Sequence, residues 1–373
     1  MKKTINRIIK SVLVVLFGIV MFSVGMFTAQ YSGKLEKIEM LIENLFVLDY
    51  DMEKIRDVAA KCMVYALDDP YSEYMTKDEF EMYEAYAEGS YKGIGVTVGV
   101  DEESGELLIE NVQSGGPADI AGIKAGDILV NIDGKDAAYE VYDELVYYIQ
   151  GISEDSPEDD LPMKFLIKRN GELLEFLIKR AEIKYKNVEF EETDGILYIK
   201  LQEFSGSAAE EMAEALSSAQ NVKGVVLDLR DNGGGSLTIL EDIADLLLPS
   251  GILLTTEDAF GDTTEYYIKD DEYCDVPLAV LVNKDTASAS EVFSACVKES
   301  GRGKLIGETT YGKGLVQAII PLGDGSGLRL TVDKYYTSAG NYINGIGIEP
   351  DIKISDYDEQ TKAAFEYVEN CIK

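Results

Sequence analysis

Three serines in one short stretch have the types and spacing that nucleophilic catalysis requires. The segment VNKDTASASEVFSACVKESG (residues 282–301) places three of its four serines, Ser288, Ser290 and Ser294, among small residues at the start of a predicted helix. A serine hydroxyl becomes a useful nucleophile only when an adjacent base takes its proton. The sequence contains no histidine, so the base must be a carboxylate, a neutral lysine or a metal-bound water.

The composition argues against two classes of binding site. The four cysteines are widely spaced, and neither close cysteine pairs nor histidines are present to form a zinc site. We therefore expect no metal and no cofactor. The net charge of -35 also argues against nucleic acid as a partner, because a phosphate backbone would be repelled.

The segment GETTYGKG (residues 307–314) is a candidate source of the base because it holds Lys313 between two glycines. It begins like a phosphate loop, G-x-x-x-x-G-K, but such a loop continues with Ser or Thr and then a helix. Gly314 and the strand-like stretch LVQAIIPL follow instead, which argues against nucleotide binding. A lysine acts as a base when burial or nearby positive charge lowers its pKa. The apolar stretch favours partial burial of Lys313, whereas most lysines in turns are exposed.

Backbone N–H groups are the expected donors to the oxyanion of an acyl-transfer reaction. The stretch NGGGS follows the predicted buried strand GVVLDLR, and Gly233 or Gly234 can bring a backbone N–H close without a side-chain clash. The N-terminus of the helix after the nucleophile supplies the second donor. Ser290 is predicted to cap that helix, with Glu291 in its first turn. Structural roles between strand and loop are predicted for Asp228, Arg230 and Ser294.

The elements that must position these residues alternate between strands and helices. Residues 182–355 show this alternation, which is typical of a mixed α/β region, and an amphipathic helix is predicted over residues 359–372. Further amphipathic helices are predicted over residues 35–46, 52–67 and 77–88. Strands predominate between residues 93 and 180, so the predicted fold class is α+β with several domains.

The strand-rich segment, with PADIAGIKAGDILVNIDG (residues 117–134) inside it, resembles a bacterial-type PDZ domain. A PDZ domain binds an extended C-terminal peptide by strand addition and holds its carboxylate with backbone N–H groups. The resemblance implies a carboxylate-binding loop at Gly93, Ile94, Gly95 and Val96. The alternative is that these residues are only the start of a strand.

The N-terminus predicts a membrane segment. Basic residues up to Lys10 precede an uncharged run of 19 residues, 11–29, which would span roughly 28 Å as a helix and so match a bilayer core. Basic residues before the run place the N-terminus in the cytoplasm. We expect a single-pass anchor in the cell membrane, with the catalytic part extracytoplasmic. The alternative is a signal peptide whose cleavage leaves a secreted protein.

The stretch TASASEVFSACVKESGRGKLIGETTYGKGLVQ (residues 286–317) closely resembles the catalytic region of the carboxyl-terminal processing peptidases, also called tail-specific proteases. Their signature couples S-A-S-E to G-K-G with the serine and the lysine 25 positions apart, and Ser288 and Lys313 meet that spacing. The resemblance implies that Ser288 is the nucleophile and Lys313 the base. It also implies that Gln317, on the same face of a strand, holds the Lys313 amine.

The same family resemblance implies an oxyanion hole formed by the N–H groups of Gly234 and Ala289. The implied domain order is a membrane anchor or signal peptide over 1–30, a helical N-terminal or dimerisation segment over 31–88, a PDZ domain over 89–180, a serine–lysine peptidase core with a crotonase/ClpP-like fold over 181–355, and a C-terminal helix over 356–373.

The implied function is that of a serine endopeptidase that recognises protein substrates by their exposed C-terminal tails. The PDZ domain would gate the active site, and the helical ends would favour a homodimer. Two alternatives remain open. One is a catalytically inactive PDZ scaffold, which the intact Ser288, Lys313 and Gln317 argue against. The other is a different serine–lysine hydrolase such as an amidase, which the PDZ-like segment argues against, because such substrates have no C-terminal tail.

Overall fold

A computed structural model of the protein describes residues 33–100, 104–138, 141–153, 155–218, 222–269 and 272–372. The anchor or signal peptide predicted over residues 1–30 lies outside these ranges. Within them, no helix combines the length and the hydropathy needed to cross a bilayer. The chain divides into two compact units, residues 1–58 and 59–373.

The bounds of the elements are as follows. The helices are α1 (Lys34–Leu45), α2 (Met52–Tyr65), α3 (Lys77–Ala87), α4 (Pro117–Ala121), α5 (Tyr142–Gln150), α6 (Ala208–Ser218), α7 (Leu237–Leu247), α8 (Ala289–Ser300) and α9 (Tyr357–Ile372). The strands up to residue 193 are β1 (Glu73–Met75), β2 (Ser90–Gly93), β3 (Val96–Val100), β4 (Leu107–Val112), β5 (Ile128–Ile132), β6 (Lys135–Asp136), β7 (Met163–Arg169), β8 (Glu172–Ile178), β9 (Ala181–Lys184) and β10 (Val188–Thr193). The remaining strands are β11 (Ile196–Leu201), β12 (Gly224–Asp228), β13 (Gly251–Asp258), β14 (Thr263–Ile268), β15 (Leu278–Val282), β16 (Gly303–Gly307), β17 (Leu315–Pro321), β18 (Gly327–Thr337) and β19 (Ile352–Lys353).

The described part of the first unit consists of α1 and the start of α2. The Arg56 guanidinium forms an ion pair with the Glu39 carboxylate. No residue of α1 is buried, and the apolar side chains of Leu35, Ile38 and Leu41 are each more than two-fifths exposed. Both helices agree with the amphipathic pattern to within two residues at each end.

Residues 90–184 of the second unit form the PDZ-like part. An antiparallel sheet has the strand order β3-β4-β5-β7-β8, with β6 beside β5, and α4 and α5 contribute side chains to its core. Strand β3 lies at an edge of this sheet, and the Tyr142 hydroxyl of α5 donates to the Val98 carbonyl on β3 at 3.4 Å. A two-stranded ribbon of β2 and β9 closes the segment, with Gly93 opposite Ala181.

The α/β part is built around a second sheet with the order β10-β11-β12-β15-β16-β19. Strand β10 is antiparallel to β11, and the other pairs are parallel. Strands β12 and β15 are buried along their whole length, as expected when helices cover both faces of a parallel sheet. Side chains from α6, α7 and α8 share one core with the sheet, and α9 supplies Ala364 and Val368 to the other.

A buried ion pair connects this sheet to α9. The Arg230 guanidinium pairs with the Asp228 carboxylate, donates to the Tyr357 carbonyl at 2.7 Å and donates to the Thr361 hydroxyl at 3.0 Å. Its central carbon lies 3.4 Å from the centroid of the Tyr357 ring. These contacts agree with the structural role predicted for Asp228 and Arg230.

A third sheet, which the sequence patterns did not resolve, packs beside the core. Its strand order is β1-β18-β13-β14, with β17 also paired to β18. Strand β1 follows α2 in the chain and pairs with the start of β18, with Glu73 opposite Arg329. Residues 73–75 are therefore hydrogen-bonded into the same sheet as β17. The predicted domain boundaries themselves remain predictions.

Candidate active site

The candidate site lies at one edge of the parallel sheet. Strands β12 and β15 are parallel neighbours, so the loops that follow their carboxyl ends meet at the same edge, where α/β proteins commonly bind ligands. The loop after β12 carries the glycines, and the loop after β15 carries Ser288. The Ala287 N–H donates to the Asn232 carbonyl at 3.0 Å and joins the two loops.

Ser288 occupies the N-cap position of α8 with an unusual backbone conformation. Its φ of 56° and ψ of -120° lie in a region that residues with a side chain rarely adopt, at a cost of about 1–3 kcal/mol. The prediction that Ser290 caps this helix is wrong. Ser290 lies inside the first turn, and its buried hydroxyl has no hydrogen-bond partner among the described residues. The Ser294 hydroxyl donates to the Ser290 carbonyl at 2.7 Å, which agrees with its predicted packing role.

The Glu291 carboxylate connects the backbones of Ser288 and Lys313. One carboxylate oxygen accepts from the Ser288 N–H at 3.0 Å and from the Lys313 N–H at 2.8 Å. The other accepts from the Thr310 hydroxyl at 2.6 Å and the Gly312 N–H at 2.7 Å. Burial raises the pKa of Glu291, and these four hydrogen bonds oppose that effect. The sequence analysis placed Glu291 only in the first helical turn and missed this connection.

Tyr335 on β18 connects the same two residues through their carbonyl groups. Its hydroxyl donates to the Lys313 carbonyl and lies 3.4 Å from the Ser288 carbonyl. Burial raises the pKa of Tyr335 well above its ordinary value, so the phenol stays protonated and remains a donor. Two buried side chains therefore fix the relative position of the Ser288 and Lys313 backbones.

The Lys313 amine is half-buried and faces an aromatic ring. Its nitrogen lies 4.7 Å from the centroid of the Tyr71 ring. Burial lowers the pKa of Lys313, and the positive charge of Arg329 acts in the same direction, whereas Asp69 and Glu291 oppose it. A lowered pKa is what a lysine base requires.

Gln317 makes a different contact from the predicted one. Its side-chain amide donates to the Thr331 hydroxyl on β18 at 3.1 Å, and no hydrogen bond from Gln317 to the Lys313 amine is present among the described residues. The prediction assumed a continuous strand from residue 313 to 317. Strand β17 begins at Leu315, and its register against β18 shifts between Val316 and Gln317. The alternation of side chains therefore does not extend from Gln317 back to Lys313.

The glycine loop is in contact with Ser288. A Cβ added to Gly234 would lie 2.7 Å from the Ser288 Cβ and 2.8 Å from the Ala289 nitrogen, and its φ of 104° also favours glycine. In this conformation the Gly234 N–H donates to the Asn232 side-chain oxygen at 2.9 Å. Ala289 is the first residue of α8, so its N–H belongs to the helix end whose donors lack intrahelical partners.

The four residues predicted to bind a peptide carboxylate form the turn between β2 and β3. Gly93 ends β2, Ile94 is buried, Gly95 has a φ of 76°, and Val96 begins β3. The Ile94 carbonyl accepts from the Ala118 N–H of α4 at 2.9 Å. The turn therefore lies at one end of the edge strand β3, next to the N-terminus of α4.

One cavity lies next to the loop that carries Lys313 and another next to the glycine loop. A cavity of about 690 Å³ is lined by residues on the lysine side, among them Tyr71, Tyr311 and Thr331. A cavity of about 340 Å³ lies on the side of the glycine loop and is lined by residues that include Gly233 and Tyr86. Open space is thus present next to the loop that carries Lys313 and next to the glycine loop.

Known proteins with similar sequences identify the family. The chain is 34% identical over 332 residues to the Carboxy-terminal processing protease CtpB of Bacillus subtilis, with 87% of this chain and 68% of the relative covered. The chain belongs to peptidase family S41. The Peptidase family S41 profile matches residues 195–354, a PDZ domain profile matches 108–157, and that of the Activating protease CtpB N-terminal domain matches 25–79. The family resemblance is thereby confirmed.

Other S41 relatives and a solved structure agree with this placement. A protein named Probable CtpA-like serine protease, from Staphylococcus haemolyticus, is 32% identical over 331 residues, and the match spans 65% of its length. The solved photosystem II D1 C-terminal processing protease has 27% identity and a TM-score of 0.51, with 89% of this chain and 91% of that chain covered. This S41 chain is therefore a serine-type carboxyl-terminal processing peptidase with a mixed α/β, multidomain fold, and its substrates are proteins.

Proposed function

We propose that Ser288 and Lys313 are the catalytic dyad of this peptidase, and that the enzyme cleaves proteins recognised by their C-terminal tails. The observation that carries the proposal is the Glu291 carboxylate, which accepts hydrogen bonds from the backbone N–H groups of both residues. The partial burial and lowered pKa of Lys313 support its role as the base. The shared anchoring of the two backbones and the lowered proton affinity of the amine therefore both suit the reaction.

The reaction begins when the neutral Lys313 amine takes the proton of the Ser288 hydroxyl. The Ser288 oxygen forms a bond to the carbonyl carbon of the substrate, and the carbonyl oxygen becomes an oxyanion. Collapse of this intermediate breaks the peptide C–N bond, and the lysine ammonium returns its proton to the leaving amine. The product is an acyl-enzyme.

Hydrolysis of the acyl-enzyme repeats these steps with water. Lys313 takes a proton from water as the water oxygen bonds to the acyl carbon, the bond to the Ser288 oxygen breaks, and the serine recovers its proton. The N–H groups of Gly234 and Ala289 would stabilise the oxyanion in both halves. Gly234 must first exchange its bond to Asn232 for one to the substrate. Gln317 would hold the Lys313 amine once the amine has moved toward Ser288.

The gating proposal assigns the described conformation to the resting enzyme. Two observations support it: the Lys313 amine lies on the Tyr71 ring, and the Gly234 N–H is bonded to Asn232. A substrate tail would add as a strand to the exposed edge of β3, with its carboxylate at the turn of Gly93 to Val96. Its binding would shift the population toward the assembled site.

The cellular setting is also a proposal. The uncharged run after Lys10 would anchor the chain in the cell membrane, with the peptidase outside the cytoplasm; the alternative is secretion after cleavage. The exposed apolar side chains of α1 support a homodimer formed through the helical segment, because large exposed apolar patches mark association surfaces.

The proposed dyad is tested with the full-length chain in detergent. An unfolded protein resembling β-casein, with and without an apolar C-terminal tail, is incubated with the wild type and with the Ser288→Ala and Lys313→Ala variants. We expect both variants to lose cleavage, seen by mass spectrometry of the products, and to keep the wild-type melting temperature to within a few degrees.

The Ser294→Ala variant is the matched control. Its hydroxyl donates to a backbone carbonyl within α8, so cleavage should continue at a rate close to that of the wild type. Turnover by the Ser288→Ala variant would refute the assignment of the nucleophile. Absence of cleavage by the wild type with either substrate would favour the inactive scaffold.

A further inference from the structure

A short segment of chain next to Lys313 carries the Tyr71 ring that faces the amine. Residues 69–73, which we call the strap, connect α2 to the core and contain Tyr71. The Asp69 carboxylate accepts from the Tyr71 N–H at 3.2 Å and from the Ser72 hydroxyl at 2.6 Å, which closes the strap into a turn. Burial acts to raise the pKa of Asp69, but these hydrogen bonds and the charge of Lys313 keep it below its ordinary value.

The strap is attached to β18 at several points. The Thr331 N–H donates to the Ser72 hydroxyl oxygen at 3.0 Å, and the Arg329 guanidinium donates to the Tyr71 carbonyl at 3.2 Å. Arg329 also forms an ion pair with Glu73 at 2.9 Å. Thr331 is the residue whose hydroxyl accepts from Gln317. The backbone around Tyr71 is therefore held on the strand that also contacts Gln317.

This attachment presents the face of the Tyr71 ring to the Lys313 amine. The nitrogen-to-centroid distance of 4.7 Å lies within the range of a cation–π contact. The Tyr71 hydroxyl lies 3.4 Å from the Tyr311 hydroxyl, which orients the ring. The π face attracts the ammonium form of lysine and has little attraction for the neutral amine.

The charges around the amine do not by themselves keep it in this position. Asp69 from the strap and Glu291 from α8 favour the ammonium, whereas Arg329 from β18 disfavours it. The Tyr335 phenol, which donates to the Lys313 carbonyl, stays protonated because burial raises its pKa well above the ordinary value, and the Tyr311 hydroxyl contacts that of Tyr71. The Tyr71 ring lies against the amine and attracts the ammonium more strongly than the neutral amine, so this contact depends on the protonation state.

We propose that Tyr71 is a positioning residue for the catalytic base: its ring holds the protonated Lys313 amine away from Ser288 and releases the neutral amine to it. This inference rests on the proposed role of Lys313. In this proposal the strap makes the location of the Lys313 amine depend on whether the amine is protonated. The matched Activating protease CtpB N-terminal domain region, residues 25–79, includes the strap.

The expected consequence is a shift in the pH dependence of Ser288 reactivity. A ring that stabilises the protonated amine raises the pH at which the rate increases. Removing the π face should therefore move the acidic limb of the profile to lower pH by about half a pH unit, and raise the rate on that limb about threefold. A purely structural defect would lower the rate equally at every pH.

The test uses the full-length chain in detergent and a small fluorophosphonate probe that reacts with activated serines. The labelling rate is measured from pH 5 to pH 11 for the wild type, Tyr71→Phe and Tyr71→Leu. A fourth protein carries pentafluorophenylalanine at position 71, which keeps the ring shape and reverses the charge distribution of its face. We expect Tyr71→Phe to keep the wild-type midpoint, and both Tyr71→Leu and the fluorinated protein to shift it to lower pH.

Two controls separate the possible failures. Tyr267→Leu alters an exposed tyrosine of β14 and should leave the profile unchanged. If the wild type is labelled no faster than Ser288→Ala, the proposed dyad fails. If the wild type is labelled and the fluorinated protein has the same midpoint, the dyad stands and the role of Tyr71 is refuted. The fluorinated protein decides the question even if Tyr71→Leu does not fold.

Discussion

Glu291 is the residue that relates the two members of the proposed dyad to each other. It is fully buried, and its hydrogen bonds to the N–H groups of Ser288 and Lys313 join segments that are 25 positions apart in the chain. The bond to Ser288 also helps to hold that residue at its strained φ of 56°. A carboxylate suits this role because each of its oxygens can accept two hydrogen bonds.

Replacing this carboxylate should lower activity without removing either dyad residue. In Glu291→Gln one oxygen becomes an NH₂ group that cannot accept from backbone N–H groups. We expect the labelling rate of Ser288 to fall about 100-fold, because small displacements of reacting groups have effects of that size. The control is Ser290→Ala, which removes a buried hydroxyl that has no hydrogen-bond partner among the described residues and should keep activity and stability. Equal rates for Glu291→Gln and wild type would contradict the positioning role.

Lys313 links activity and stability to pH. Its pKa in the folded protein is lowered, chiefly by burial, so the charged amine destabilises the fold relative to the neutral amine. Activity should rise with pH through a midpoint below the ordinary lysine value of about 10.4. A profile that still shows full activity at pH 5 would point to a carboxylate base.

The Lys313→Met variant should be more stable than the wild type at neutral pH. A lowered folded-state pKa means that the penalty for the charged amine is fully present below that pKa. The penalty fades as the pH rises toward the unfolded-state pKa, where the amine is neutral in both states. The increase in melting temperature should therefore be largest near pH 7 and disappear near pH 11. A Lys313→Met variant less stable than wild type at pH 7 would contradict this account.

At the scale of elements, the site depends on two adjacent strands that end at the same edge. The glycine loop follows β12, and Ser288 lies in the loop that follows β15. The Ala287 N–H donates to the Asn232 carbonyl and joins the two loops. Close approach of the two loops leaves no room for a side chain at Gly234. The proposed oxyanion donors, Gly234 and Ala289, can be brought together only while this approach is kept.

A methyl group at Gly234 should disrupt the site. In Gly234→Ala the new carbon would meet the Ser288 Cβ at 2.7 Å and the Ala287 carbonyl oxygen at 2.8 Å, so one loop must move. We expect a loss of fluorophosphonate labelling of about 100-fold or more. In the matched Gly233→Ala variant the added Cβ meets no atom within 4 Å, and most of the labelling should remain. Similar losses in both variants would show that the contact at Gly234 is not what matters.

At the scale of the whole molecule, the PDZ-like part is inserted between two paired strands. Gly93 and Ala181 lie opposite each other in the ribbon of β2 and β9. Residues 94–180 therefore form an insertion whose two ends are adjacent. The edge strand β3 lies within this insertion. In the proposed function, the ribbon connects the part of the chain that would recognise the tail to the part that would cleave the substrate.

Replacing residues 94–180 with a short turn tests whether this insertion gates the active site. The turn would close β2 and β9 as a hairpin without changing the peptidase sheets. We expect the wild type to cleave an unfolded protein with an apolar tail faster than one without it, and the variant to lose that difference. The readout is the ratio of the two initial rates, which should fall to about one. An unchanged ratio would exclude tail recognition by residues 94–180.

Much of the fold could be predicted from the sequence, as could the family, and the dyad itself stays a prediction. Alternation and helical periodicity located the PDZ-like strands and the parallel strands within a few residues, because these patterns are local. The S-A-S-E and G-K-G spacing selected Ser288 from three serines. Strands β13 and β14 were missed, since neither alternates clearly between apolar and polar residues and the pairing of β13 with β18 joins distant segments.

Only the tertiary structure decided which side chains fix the positions of the two residues of the proposed dyad. Tyr71 lies 240 positions before its partner Tyr311, so no local pattern could place its ring beside Lys313. The strained Ser288 backbone and the fourfold use of Glu291 depend on contacts among α8, β18 and the loop before β17. The bond of Gln317 to Thr331 depends on an irregular register that strand alternation cannot predict. A sequence motif can indicate the reacting groups because few residue types can act as nucleophile or base. The positions of these groups arise from contacts between segments far apart in the chain.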